Sequence, residues 1–96
     1  TASVSPGGES VHLGDIDKQA ELSLDVIEAI LKSRGMGWKD VVRSVAYFKD
    51  KDYAPHYEKI ALRRGLAIMP CIGIQADVCR DNLLFEMELD AAVLKA

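Results

Sequence analysis

Glu86 is the residue in this sequence best suited to acid or base chemistry. It lies between Phe85 and Met87 in a run that alternates apolar and polar residues, which is typical of a β-strand. The alternation places Glu86 on the face opposite the apolar one. There it is either a solvated surface acid or, if another subunit covers that face, a general acid or base. Desolvation of a carboxyl favours its proton-bearing form, which an acid catalyst needs.

Cys79 and Arg80 form a second candidate position, at a polar corner just before that strand. Cys79 is either a small buried residue or part of a pocket, and no adjacent His supports a Cys–His nucleophile. Arg80 is either a surface corner residue or a fork that binds a substrate carboxylate. The residue types leave both alternatives open.

Metal and cofactor chemistry find little support in the sequence. His12 and His56 are isolated, and neither has Cys, Asp or Glu at the spacing of a metal site. Glycines 35 and 37 lack the strand-then-helix order of a phosphate-binding loop. We therefore expect no metal and no cofactor. Tyr47 and Trp38 are interpreted as packing residues.

Composition narrows the class of protein further. The 96 residues are 49% hydrophobic and 28% charged, which is typical of one globular domain spanning residues 1–96. The net charge of −3 argues against a nucleic-acid partner. No apolar run approaches the ~20 residues of a membrane span. Two cysteines are too few for a disulfide framework, so we expect reduced thiols and a cytoplasmic location.

Two helices are predicted from apolar spacing and capping residues. The first runs from Ile16 to about Ser33 and begins at an Asp15 N-cap. Its apolar stripe comprises Ile16, Ala20, Leu24, Ile27, Ile30 and Leu31. The second helix covers roughly residues 53–64 after an acidic cap at Asp50 or Asp52.

Strands are predicted at residues 1–4, 41–48, 71–78 and 83–93, and residues 10–13 are a short strand or a loop. Two helices and an antiparallel or mixed sheet indicate an α+β fold of two layers, with both helices on one sheet face. The other face is predicted to carry Glu86, Glu88, Asp77 and Gln75. The chain opens directly on strand-like residues, so we expect that it begins partway through a domain.

The order of these motifs resembles the Rid/YjgF family, also called endoribonuclease L-PSP or translation initiation inhibitor. The similar segments are Gly14-Asp15-Ile16-Asp17-Lys18-Gln19, the strand at residues 41–50, Pro70, and Phe85-Glu86-Met87-Glu88. The resemblance implies a chorismate-mutase-like fold and trimers with active sites between subunits. It also implies an N-terminal hairpin that is absent here. Family deaminases carry a substrate-clamping Arg two residues after the loop Pro, where this chain has Ile72.

A second resemblance concerns the C-terminal half of chorismatases, two-domain enzymes that remove pyruvate from chorismate. It is carried by residues 1–4, by His12-Leu13-Gly14-Asp15 with Gln19, and by residues 76–86. This resemblance implies that Cys79 and Ala2 line a substrate pocket. It also implies that Glu86 is the proton donor.

Two functional hypotheses follow from different classes. The first is a small-molecule enzyme, either a chorismatase-like hydrolase or lyase or an imine deaminase, that works in a cleft between subunits of a homotrimer or pseudo-trimer, or between domains. The second is a non-catalytic ligand-binding or assembly module, which Ile72 favours. A nuclease is the least supported, because the chain is acidic and shows no metal or His pair.

Overall fold

Helix α1 spans Ile16–Ser33, as predicted. The computed structural model describes residues 1–66, 69–78 and 80–93. The Asp15 carboxylate caps the helix by accepting a hydrogen bond from the Lys18 backbone N–H at 3.0 Å. Gly35 follows the helix in a left-handed conformation, with φ of 70°. Ile30, predicted on the buried stripe, is 48% exposed, and Gln19 and Ser23 are buried instead.

Helix α2 spans Ala54–Arg63 and follows a short 3₁₀ turn at Lys51–Tyr53. The Asp50 carboxylate caps that turn by accepting from the Asp52 N–H at 2.8 Å, which decides between the two predicted caps. Arg64 joins the two helices, because its guanidinium donates to Glu21 at 2.9 Å and to Asp25 at 2.8 Å. The two helices therefore form one layer.

The sheet has three strands in the order β2–β1–β3: β1 spans Val41–Phe48, β2 spans Ile72–Gln75 and β3 spans Phe85–Ala91. Strand β1 is parallel to β2 and antiparallel to β3, so the sheet is mixed. The core fills the space between the sheet and the helices. Its aromatic centre is formed by Phe48, Tyr57 and Phe85, with ring centroids 5.3–5.9 Å apart.

The N-terminal segment adds two isolated bridges rather than a full strand. Ala2 pairs with Glu86 beside β3, and Val4 pairs with Ser10. The predicted strand at residues 1–4 and the short strand or loop at 10–13 thus reduce to these contacts. The Ala2–Glu86 bridge attaches the segment to the outer edge of β3, and the Val4–Ser10 bridge closes a loop within the segment.

The orientation predicted for the strand at residues 71–78, which is β2 in the structure, was wrong, because Gln75 was expected on the face away from the helices. Ile72 and Ile74 pair in parallel with Val45 and Tyr47, so they lie on the sheet face away from the helices. There they are 65% and 43% exposed. Gly73 and Gln75 lie on the helix side, and a Cβ at Gly73 would approach a Phe48 ring carbon to 3.2 Å. The strand is also shorter than predicted.

Candidate functional site

The sheet face away from the helices, called the open face below, brings the predicted catalytic acid together with other polar groups. Antiparallel pairing places Tyr47 beside Glu86, and parallel pairing places Ile74 on the other side of Tyr47. The bridge between Ala2 and Glu86 extends this row to the N-terminal segment. One row across the sheet therefore reads Ile74, Tyr47, Glu86, Ala2.

A groove of about 160 Å³ lies on the open face. Its walls are formed by Tyr47, Ala76, Asp77, Val78, Glu86 and Glu88. Glu86 is half-buried in it, and Asp77 is exposed at its edge. The alternation of β3 correctly predicted the face on which Glu86 and Glu88 lie.

Hydrogen bonds organise the polar side chains next to the groove. The Tyr47 hydroxyl donates to Glu88 Oε1 at 2.7 Å. The Arg43 guanidinium donates to Asp90 at 3.0 Å and to Glu88 at 3.5 Å. The hydrogen bond to Glu88, followed by desolvation, raises the pKa of Tyr47. Tyr47 therefore keeps its proton at neutral pH and serves as a donor.

Tyr47 is a site residue that the sequence prediction missed, because it was interpreted as a packing residue. Its signal was its place in the predicted strand at residues 41–48, next to Phe48, whose large apolar side chain must face the helices and so forces Tyr47 to the other face. Only the register between β1 and β3 brings it to Glu86.

The other predicted site residues have different positions. Ala2 lies beside Glu86 through the bridge described above. Arg80 does not line the groove: its guanidinium donates to the Gly8 carbonyl at 2.8 Å and to Ser10 Oγ at 3.1 Å. Cys79 falls outside the described residues. Within the described ranges, no three His, Cys, Asp or Glu side chains are grouped so as to hold a metal ion.

The pKa of Tyr47 provides a test of this arrangement. Replacing Glu88 with Gln removes the negative acceptor, so we expect the pKa of Tyr47 to fall toward the ordinary value of about 10. The ¹³Cζ chemical shift of Tyr47 followed against pH measures it. Asp90→Asn is the matched control, because it removes a carboxylate from the same face without touching the phenol. An unchanged Tyr47 pKa in Glu88→Gln contradicts the hydrogen bond.

Solved structures with the same arrangement of helices and strands identify the fold. A candidate endoribonuclease from Thermotoga maritima matches with a TM-score of 0.83 and 23% identity, over 98% of this chain and 75% of that one. A member of the YjgF/YER057c/UK114 family from Mycobacterium tuberculosis matches with a TM-score of 0.75 and 25% identity, over 97% and 75%. The YjgF gene product of E. coli matches with a TM-score of 0.72 and 23% identity, over 94% and 73%.

The chain has the Rid/YjgF fold. This confirms the predicted α+β class, with two helices on one face of a mixed, chorismate-mutase-like sheet. No protein-family model and no curated protein matches the chain by sequence. In this Rid/YjgF fold, no helix among the described residues is both long and apolar enough to cross a membrane.

Proposed function

We propose that the chain is a Rid/YjgF-type small-molecule enzyme domain in which Glu86 acts as the general acid and base. The observation that carries the proposal is the groove on the open face, where Glu86 is half-buried beside Tyr47 and Ala2. A carboxyl held at the wall of a concave site by a rigid strand is well placed to transfer a proton.

The proposed substrates are chorismate-like enol ethers or enamines and imines, because both classes react through one proton transfer to an unsaturated group. Glu86 donates its proton to the enol-ether carbon, the enamine carbon or the imine nitrogen. Water adds to the cation that results and returns a proton to Glu86. The adduct then breaks to a carbonyl compound and an alcohol or ammonia. These steps amount to a hydrolysis, which needs no metal or redox cofactor.

We propose that the second wall of the cleft comes from another subunit of a homotrimer or pseudo-trimer, or from another domain. The open face supports this, because Ile72 and Ile74 expose large apolar side chains beside the groove. Among the described residues that pair between β1 and β3 on this face, Arg43 is the one positively charged side chain. Its guanidinium already forms ion pairs with Asp90 and Glu88. A group that binds a substrate carboxylate would therefore come from the second wall.

Assembly and turnover are expected to be lost together when a charged side chain replaces an apolar one on the open face. Ile72→Asp should give monomers in sedimentation velocity and a large loss of turnover, because a carboxylate on the apolar surface opposes its burial. Leu62→Asp is the matched control, since Leu62 is 70% exposed on α2, against 65% for Ile72. It should retain both properties.

The assay uses chorismate and an imino acid generated in situ as the two probes, at several protein concentrations. Specific activity that rises with concentration together with the assembled fraction supports an intersubunit cleft. A wild-type chain that assembles but turns over neither probe contradicts the enzyme proposal. A wild-type monomer with full activity contradicts the subunit cleft.

A further inference from the structure

The Gln19 side chain is wholly buried, although it is polar and lies on the inner face of α1. Its amide makes three hydrogen bonds. Oε1 accepts from the Leu84 backbone N–H at 2.8 Å, and Nε2 donates to the carbonyls of Asn82 at 3.1 Å and His12 at 3.2 Å. Buried polar groups cost free energy unless they are paired in this way. One planar amide therefore joins two chain segments far apart in sequence.

Both segments lead to the groove. Leu84 precedes the first residue of β3, two positions before Glu86. On the other side, His12 holds a left-handed backbone with φ of 57°, which is unusual for a residue with a side chain. Gln19 therefore fixes the residues just before β3 relative to the loop at His12.

A closed ring of contacts links these two segments again through Glu86, which lines the groove. Val11 N–H donates to the Ser3 carbonyl at 2.9 Å, and Ser3 Oγ donates to the Val11 carbonyl at 2.8 Å. Met87 N–H donates to the Thr1 carbonyl at 2.9 Å, and Ala2 pairs with Glu86. The ring runs from Gln19 through β3 to Ala2, then through Ser3 and Val11 to His12 and back to Gln19.

Arg80 strengthens the same ring from the surface. Its guanidinium joins the corner before β3 to Gly8 and Ser10, which lie in the loop between Ser3 and Val11. Like Gln19, it crosses from the corner to the N-terminal segment. Its partners lie about 70 positions away in sequence.

We infer that Gln19, supported by Arg80, is a positioning residue that holds Ala2 against the Glu86 backbone and so fixes Glu86 in the wall of the groove. This role rests on the proposed function of Glu86. The ring itself is a property of the fold and can be tested without any substrate.

The test is amide hydrogen exchange by NMR on the full chain. Gln19→Glu keeps the oxygen that accepts from the Leu84 N–H. It replaces the Nε2 donor with a second carboxylate oxygen, which then faces the carbonyl oxygens of His12 and Asn82. We expect the Val11 and Met87 amides to exchange at least about tenfold faster, because they close the ring. The β1 ladder amides of residues 45–47 should change little. Ser23→Ala is the control: Ser23 is equally buried in α1, and its hydroxyl donates to the Gln19 backbone carbonyl at 2.8 Å rather than to the amide of the Gln19 side chain.

Arg80→Met provides a second arm that does not depend on a buried substitution, because Arg80 is exposed. It should accelerate exchange at Val11 by roughly threefold to tenfold, the usual effect of losing one hydrogen bond, with the β1 ladder unchanged. Uniform acceleration of all amides in both variants, or no acceleration at Val11 and Met87, overturns the inference. The ¹³Cδ shift of Glu86 should move in Gln19→Glu and stay constant in Ser23→Ala.

Turnover of chorismate or of the imino acid is measured on the same variants. A fall in kcat in Gln19→Glu, with Ser23→Ala unchanged, supports the positioning role. If the wild-type chain turns over neither probe, the proposed function fails. The exchange pattern and the Glu86 shift still decide whether the ring positions this wall.

Discussion

Glu86→Gln is expected to lower kcat for the enol-ether or imine probe by about 10²–10⁴-fold, which is the usual contribution of a general acid or base. The amide keeps the size and planarity of the carboxyl but can neither donate an acid proton nor take one back. The Ala2 bridge is made by backbone groups, so the folded structure should be retained. Steady-state kinetics with both probes measures the effect, and chemical denaturation checks the fold.

Two matched controls separate catalysis from charge. Glu88→Gln removes a carboxylate on the same face of the same strand, two residues along, where it accepts from Tyr47. Asp90→Asn removes a third, which is bound to Arg43 and lies outside the groove. We expect less than a tenfold loss of kcat for Asp90→Asn and an intermediate loss for Glu88→Gln. Full activity in Glu86→Gln would remove the basis of the proposed mechanism.

Elements defined by neighbours in sequence were well predicted. Helix α1 has the predicted bounds because its cap and its apolar spacing are local properties of residues 15–33. The face of β3 was also predictable, because Phe85 and Met87 are large apolar residues that must be buried. Glu86 is then forced to the opposite face.

Features set by register and by distant contacts were not predictable. A period of two defines two faces of a strand but does not say which one meets the helices. In β2 both faces are exposed, and its pairing with β1 decides that Ile72 and Ile74 lie on the open face. The contacts of Arg80 with Gly8 and Ser10 depend on the folded topology. The role of Tyr47 depends on the same topology, through its pairing with Glu86.

Phe85→Ala is expected to cost about 3–5 kcal/mol of unfolding free energy, the usual range for removing a buried aromatic ring. Phe85 is wholly buried, and its ring stacks on Tyr57 at 5.3 Å and lies 5.7 Å from Phe48. The Phe85 ring packs against both the sheet, at Phe48, and a helix, at Tyr57. The cavity left by its removal therefore cannot be filled by a small shift of one element. Urea denaturation measures the loss, and each kcal/mol should lower Tm by roughly 4–8 °C in a domain of this size.

Leu62→Ala is the control for Phe85→Ala, because Leu62 is a large apolar residue that is 70% exposed, and its truncation should change stability by less than about 0.5 kcal/mol. Phe85 and Glu86 are neighbours on opposite faces of β3. Phe85→Ala should therefore lower the free energy of unfolding and keep kcat per folded molecule at low temperature. Glu86→Gln should lower kcat and keep the free energy of unfolding. A loss below about 1 kcal/mol in Phe85→Ala would contradict the buried aromatic cluster. Equal losses of stability in both variants would contradict the division of β3 into a structural face and a catalytic face.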